Sequence, residues 1–360
     1  MSPPTDRSDD PSRNHDRAAA APRPPADNPV LVEVTRGDMV ESRHRGAFAV
    51  CDTQGRVLLS TGDVERTIYP RSAIKPLQAL ALVETGAAEA FAVSDAEVAL
   101  ACASHDGEPL HADAAAQWLQ RIGLSVDDLE CGAHWPYHEP SLRALAAHGE
   151  TPTPAHNNCS GKHDGFLTLA KHLGAPTAGY IRFEHPVQQR VLGILEMMSG
   201  LNLGDAPRGI DGCGIPQYGM PLGNLALAFA RFAEPDDQPE RRQAACARVR
   251  RAMAEHPVMV AGHERFCTKV IAATQGRALV KTGAEGVFAA AVPELGLGVA
   301  IKIDDGEKRA SQVVMAGLLD RLGVLDDGAQ RVLAPLLSPS LRNRRDETVG
   351  AIRLAPEAIT

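Results

Sequence analysis

The 360-residue sequence contains no apolar run near the ~20 residues that a membrane-spanning helix needs, so no transmembrane segment is expected. Positive charge is not in excess. Against 45 Asp and Glu stand 37 Lys and Arg, for a net charge of -8, so no attraction to nucleic acid or to an acidic membrane surface is expected. Seven cysteines are present, an odd number, and none form a Cys-x-x-Cys pair. The opening stretch "MSPPTDRSDDPSRNHDRAAAAPRPPADNP" lacks the apolar segment of a secretory signal. Reduced thiols and a cytoplasmic location are therefore expected. No H-x-x-x-H pair carries a glutamate, and no repeat of solenoid period is found.

What is present is an ordinary globular composition, 44% apolar and 23% charged, in a chain long enough to bury a large core. Met1 to about Asn28 reads as a disordered tail, since its composition cannot bury enough surface to offset the entropy of ordering. Residues 29–360 are expected to form a single catalytic domain. "PVLVEVTRGDMVESRHRGAFAVCDTQGRVLLSTGD" alternates and turns as strands do, and "GRALVKTGAEGVFAAAVPELGLGVAIKIDDG" does so again near the other end. Between them lie helical patterns, most ended by Gly or Pro, such as "SAIKPLQALALVETG" and "GKHDGFLTLAKHLG". The fold class expected is α/β of the α+β kind. The N- and C-terminal segments (about 29–70 and 265–345) build one antiparallel sheet covered by the first and last helices, with a helical lobe inserted over about 71–264.

Within "RSAIKPLQ", Ser72 and Lys75 are spaced to lie on one helix face, as a nucleophile and its base would. Later, "CASHDGE" sets Ser104 at the end of an apolar run, and "LVKTGAEG" puts Lys281 at the end of a strand-like segment. Ser-x-x-Lys, Ser-Asp-Asn and Lys-Thr-Gly, in that order, mark penicillin-recognising serine enzymes. The middle element here departs, being Ser104-His105-Asp106. The logic holds nonetheless: burial and a second ammonium lower a lysine's pKa until it can take a serine's proton, and Ser104 could relay it. Arg71, directly before Ser72, suits a substrate carboxylate, although a surface ion pair would account for it equally well.

A second group comes from "AHNNCSGKHDGF" and "GIDGCGIPQYGMPLG". These loops bring Cys159, Lys162 and His163, and Asp211 and Cys213. Two thiolates favour zinc, but the spacing matches no structural zinc module; on spacing alone, buried thiols beside glycine turns are the simpler account. A phosphate-loop reading of "SGKHDG" fails, because His156 stands where its first glycine belongs and His163 where Ser or Thr belongs.

Taken together, "YPRSAIKPLQ", "CASHDGE", "HNNCSGKH", "GIDGCGIP" and "KTGAEGVF" resemble the Rhizobium etli-type L-asparaginases, the class-3 or asparaginase II family. The resemblance implies a serine β-lactamase/glutaminase-like fold, a homodimer, and hydrolysis of L-asparagine to L-aspartate and ammonia. It also implies Ser72 as nucleophile with Lys75, a second couple of Ser104 and Lys281, and zinc held by Cys159, Lys162 and Cys213. Asp211 and His163 would stand close by, and Arg71, Asp211 and His163 are the expected substrate-binding residues. The rivals are a cytoplasmic serine amidase acting on glutamine or a peptide-like amide, and a non-catalytic zinc or amino-acid-binding protein on the same scaffold.

Overall fold

The computed structural model describes residues 27–359. Most of the expected tail lies outside the described residues. Asn28, counted with it, is buried; its amide donates to Asp304 and its side-chain carbonyl accepts from Asp63 N at 2.7 Å. An eight-stranded antiparallel sheet forms the centre. Its strands are β1 (Val30–Arg36), β2 (Met39–Cys51), β3 (Val57–Thr61), β4 (Leu279–Thr282), β5 (Val287–Val292), β6 (Leu297–Ile303), β7 (Ser340–Arg342) and β8 (Thr348–Leu354). In space the order is β7-β8-β1-β2-β6-β5-β4, with β3 pairing along the second half of β2. The chain ends thus share one sheet, as expected, and the final hairpin β7–β8 extends it beyond β1, which the sequence pattern did not indicate.

Every residue of β5 is buried, so both faces of the sheet are covered there. The covering helices differ from expectation in one respect. Of the helices among the described residues, seven bear on the sheet or the site: α1 (Lys75–Glu84), α2 (Asp95–Ala101), α3 (Ser160–His172), α4 (Pro186–Ser199), α5 (Leu222–Ala233), α6 (Glu240–Glu255) and α7 (Lys308–Arg321). α7, the last of these, does pack on the sheet, but α1 packs mainly on α4 and α6. The sheet is covered instead by α5, whose "LALAFARFA" presents apolar residues almost all round. Of the segment that leads into α1, it is the 3-10 turn Arg71–Ile74 that packs on β4 and β5. Pro76 falls in the first turn of α1, where no N–H is needed.

Two features bring distant segments to one point. α2 starts with a capping box: Ser94 Oγ accepts from Glu97 N, and Glu97 accepts from Ser94 N at 2.8 Å. Its far end feeds directly into Ala103 and Ser104. Gly161, in the first turn of α3, presses on that end so closely that a Cβ there would meet the backbone of Leu100. Gly161→Ala gains helix propensity but collides with backbone that cannot yield. It is expected to cost about 1–3 kcal/mol, read as a lower urea midpoint.

Candidate active site

Lys75 and Lys281 come from opposite ends of the chain and converge, almost wholly buried, on one hydroxyl. Lys75 Nζ donates to Ser104 Oγ at 3.0 Å, and Lys281 Nζ lies 2.8 Å from the same oxygen. Ala103 O at 2.5 Å, Asn158 O at 3.3 Å and Cys159 Sγ at 3.1 Å also lie within reach of the three Lys75 N–H groups, whereas Lys281 has one further acceptor, Thr282 O. Burial and the neighbouring Lys75 push the Lys281 amine down to about 7.

The expected couple of Ser104 and Lys281 is therefore present. The expected couple of Ser72 and Lys75 is not a direct hydrogen bond here. Ser72 lies in the 3-10 turn rather than in α1, and Lys75, at the head of α1, extends inward to Ser104. Ser72 is half-buried, while Ser104 is 6% exposed, so Ser72 is the serine with the more open approach. Its turn is braced by the strand that carries Lys281. A Cβ on Gly283 would lie 2.9 Å from Pro70 O and 3.2 Å from Ala73 N, so only glycine permits this contact.

The departure from Ser-Asp-Asn has a structural role. His105 is fully buried; its Nδ1 accepts from Gly107 N at 3.1 Å, and its Nε2 lies 2.9 Å from Ser160 Oγ at the start of α3. Burial holds this imidazole far below its usual pKa, so it is neutral and ties the Ser104 loop to the Cys159 loop. Ser104 N donates to Val260 O at 3.0 Å, fixing the loop from its other side.

Arg71 and Asp211 are brought together. Arg71 Nε and Nη2 donate to Asp211 Oδ1 at 3.1 and 2.8 Å. Gln217, which no sequence motif marks, completes the ring: its Nε2 donates to Asp211 Oδ2 at 3.2 Å, and its Oε1 accepts from Arg71 N at 3.0 Å. That last bond holds Arg71 at φ +52, a left-handed conformation that is unusual for a residue with a side chain. Burial raises the Asp211 carboxyl, but the bond from Arg71 and the nearby Lys162 outweigh it and keep it ionised below the usual carboxylate range. His163 departs from its expected role. It is fully buried with Nδ1 2.6 Å from the Tyr180 hydroxyl, so it lines no open surface, and its Nε2 has no partner.

Lys162 Nζ donates to Cys213 Sγ at 3.0 Å, and the Cys159 thiol donates to Asn158 Oδ1 at 3.2 Å. The neighbouring Cys159 and the Lys162 amine hold the Cys213 thiol down to about 4, which favours the thiolate there, while the same pairing and burial raise Cys159. Among the described residues no three His, Cys, Asp or Glu side chains group as a metal site. Cys159, Cys213 and Lys162 offer two sulfurs and an amine, a donor set whose chemistry fits a soft divalent ion.

A family model described as L-asparaginase II matches residues 32–354. The chain belongs to the L-asparaginase II family. No curated protein sequence matches it. Among solved structures, a beta-lactamase from Mycobacterium bovis shares 16% identity over 77% of this chain and 94% of that one, with a TM-score of 0.38. D-alanine carboxypeptidase AmpC from Burkholderia cenocepacia shares 12% over 80% and 93%, with a TM-score of 0.37. A protein called Mglu shares 14% over 83% and 72%, with a TM-score of 0.43. Among the described residues of this L-asparaginase II family member, no helix is long and apolar enough to cross a membrane.

Gln217→Leu tests the ring around Asp211. It leaves Arg71 N without its acceptor, so the protein should lose about 1–3 kcal/mol in urea unfolding. An unchanged midpoint would show that the ring does not hold the turn before Ser72.

Proposed function

We propose that the protein hydrolyses L-asparagine to L-aspartate and ammonia through an ester on Ser72, as the Rhizobium etli-type members of the family would. The observation that carries this reading is the Ser104 hydroxyl held between two buried lysines, one of which stands three residues after the more accessible Ser72. Ser72 Oγ attacks the side-chain carboxamide carbon. Its proton reaches Lys281 in one concerted relay: Lys75 takes the Ser72 proton as it gives one of its own to Ser104, and Ser104 gives its hydroxyl proton to Lys281, the amine lowered to about 7. The Ser72 N–H stabilises the oxyanion, since Arg71 N is bonded to Gln217 and Ala73 N to Pro70 O. The network returns the proton to the departing nitrogen, which leaves as ammonia. Water then cleaves the ester, and its proton restores Ser72.

Substrate binding falls to the Arg71–Asp211 pair. Arg71 keeps its Nη1 for the α-carboxylate, and Asp211, ionised, attracts the α-ammonium. Cys159, Lys162 and Cys213 would hold zinc, Lys162 binding as the neutral amine once the metal displaces its proton. Bound there, zinc supplies a positive centre that orients a substrate oxygen. The family match supports an amide substrate, and the choice of asparagine over glutamine follows from the resemblance of the site motifs.

Ser72→Ala should fold normally and keep less than about a few per cent of the ammonia release measured side by side on asparagine, glutamine and a dipeptide amide. Full activity in that variant would move the nucleophile to Ser104, and a faster rate on glutamine would move the substrate. The pH profile follows from Lys281. Below its pKa it is an ammonium and cannot accept a proton, so kcat/KM should rise about tenfold per unit up to pH ~7 and level off above. A maximum near pH ~5 would sink the lysine-base mechanism. Protein purified without chelators should carry about one zinc per chain by elemental analysis, and Cys159→Ser or Cys213→Ser should each remove it. Metal-free wild-type protein at full activity would make both cysteines ordinary buried thiols.

A further inference from the structure

Helix α1 begins beside Ser72 and Lys75, and its other end opens onto a basic cleft away from the catalytic centre. Glu84, the last residue of α1, lines a cleft of about 690 Å³ together with Arg190 of α4 and Arg242 of α6. The cleft continues past Glu84 and Arg190 into a recess of about 190 Å³ lined by Thr85, His172 and Arg241. Among the described residues Glu84 is the only carboxylate lining either part, and Arg242 occupies it: Nε donates to Oε2 at 2.5 Å and Nη2 to Oε1 at 3.1 Å. His172 is occupied as well, its Nε2 lying 3.0 Å from Thr85 O. Arg190 and Arg241 are exposed and have no ion-pair partner among the described residues. Arg242 is 4% exposed, and its Nη1 is buried with no acceptor. A buried guanidinium donor left unpaired is costly, and here it belongs to a residue lining the cleft.

Three arginines facing one glutamate make a concentrated positive site on a chain whose net charge is -8. The same lining carries apolar surface from Leu173, Ile194 and the half-exposed Met197. A bare inorganic anion would leave that surface wet, whereas an organic anion uses both surfaces. Guanidinium groups match carboxylates through two parallel N–H donors, and two arginines without partners are available.

We propose that this cleft is a binding site for a small dicarboxylate, held by Arg190 and Arg241 with its carbon chain against Leu173 and Met197. The proposal does not depend on the reaction assigned to Ser72. Isothermal titration of succinate into the full-length protein tests it. Wild type should show one saturable site, and Arg71→Ala, which removes the cation of the catalytic opening, should bind alike. The double variant Arg190→Ala with Arg241→Ala changes only exposed side chains, and should weaken binding by about tenfold or more. Inorganic phosphate should bind more weakly than succinate. The proposal is overturned by no saturable heat, by equal affinity in the double variant, or by loss of binding in Arg71→Ala, which would place succinate at the catalytic site. Phosphate binding as tightly as succinate would also overturn it, by reducing the cleft to a nonspecific patch of charge.

Discussion

Two lysine amines within hydrogen-bond reach of one hydroxyl cannot both stay charged in a dry interior without penalty. Nitrogens 3.0 and 2.8 Å from Ser104 Oγ are at most about 6 Å apart, and at an effective dielectric near 20 their repulsion is about 3 kcal/mol, or roughly two pKa units. Burial adds to this in the same direction. The hydrogen bonds show which amine yields. Lys75 is surrounded by acceptors for all three N–H groups, two carbonyls and a sulfur besides Ser104, whereas Lys281 has only Thr282 O besides the serine. Lys281 is the amine that this asymmetry allows to lose its proton, with its pKa lowered to about 7.

The rest of the fold holds that asymmetry in place. The carbonyls that serve Lys75 come from the end of α2 and from the loop before α3, two segments pressed together where Gly161 meets Leu100. His105 locks the same two loops from a second direction while remaining neutral, so it adds no further positive charge beside the lysines. Lys281 stands on β4, and the contact through Gly283 presses that strand against the turn of Ser72. Loosening any of these contacts would move an acceptor away from Lys75, and the two amines would then share charge differently.

Much of this was legible in the sequence because it is periodic or local. The runs that became α1, α3 and α5 have apolar residues where helices need them, and the strands at both chain ends alternate or run apolar as buried strands do. The hairpin β7–β8 was not legible, because "SLRNRRDETVGAIRL" is largely polar and exposed, and its order derives from pairing with β1. In the site the residue types were readable and their partners were not. Ser72-x-x-Lys75 suggests a pair three residues apart, but Lys75 reaches a serine 29 positions away, and Lys281 meets that serine across 177. Gln217 carried no signal at all, since a lone glutamine in a glycine-rich loop is indistinguishable from a surface residue until Arg71 is seen to need an acceptor.

The ring around Asp211 shows how strain directly before Ser72 can be sustained. Arg71 at φ +52 would relax in an isolated peptide, and it is held by Gln217 at its backbone and Asp211 at its guanidinium. Asp211 is part of this brace and, in the proposed reaction, also the group that attracts the substrate's ammonium, so substrate charge and backbone geometry would act on one carboxylate. An amino acid drawing on Asp211 through its ammonium would compete with Arg71 for that charge and leave Arg71 freer to turn toward the substrate's carboxylate. Recognition at both ends of the proposed substrate would thereby be coupled to the conformation of the residue next to Ser72, a coupling that neither Arg71 nor Asp211 could provide alone.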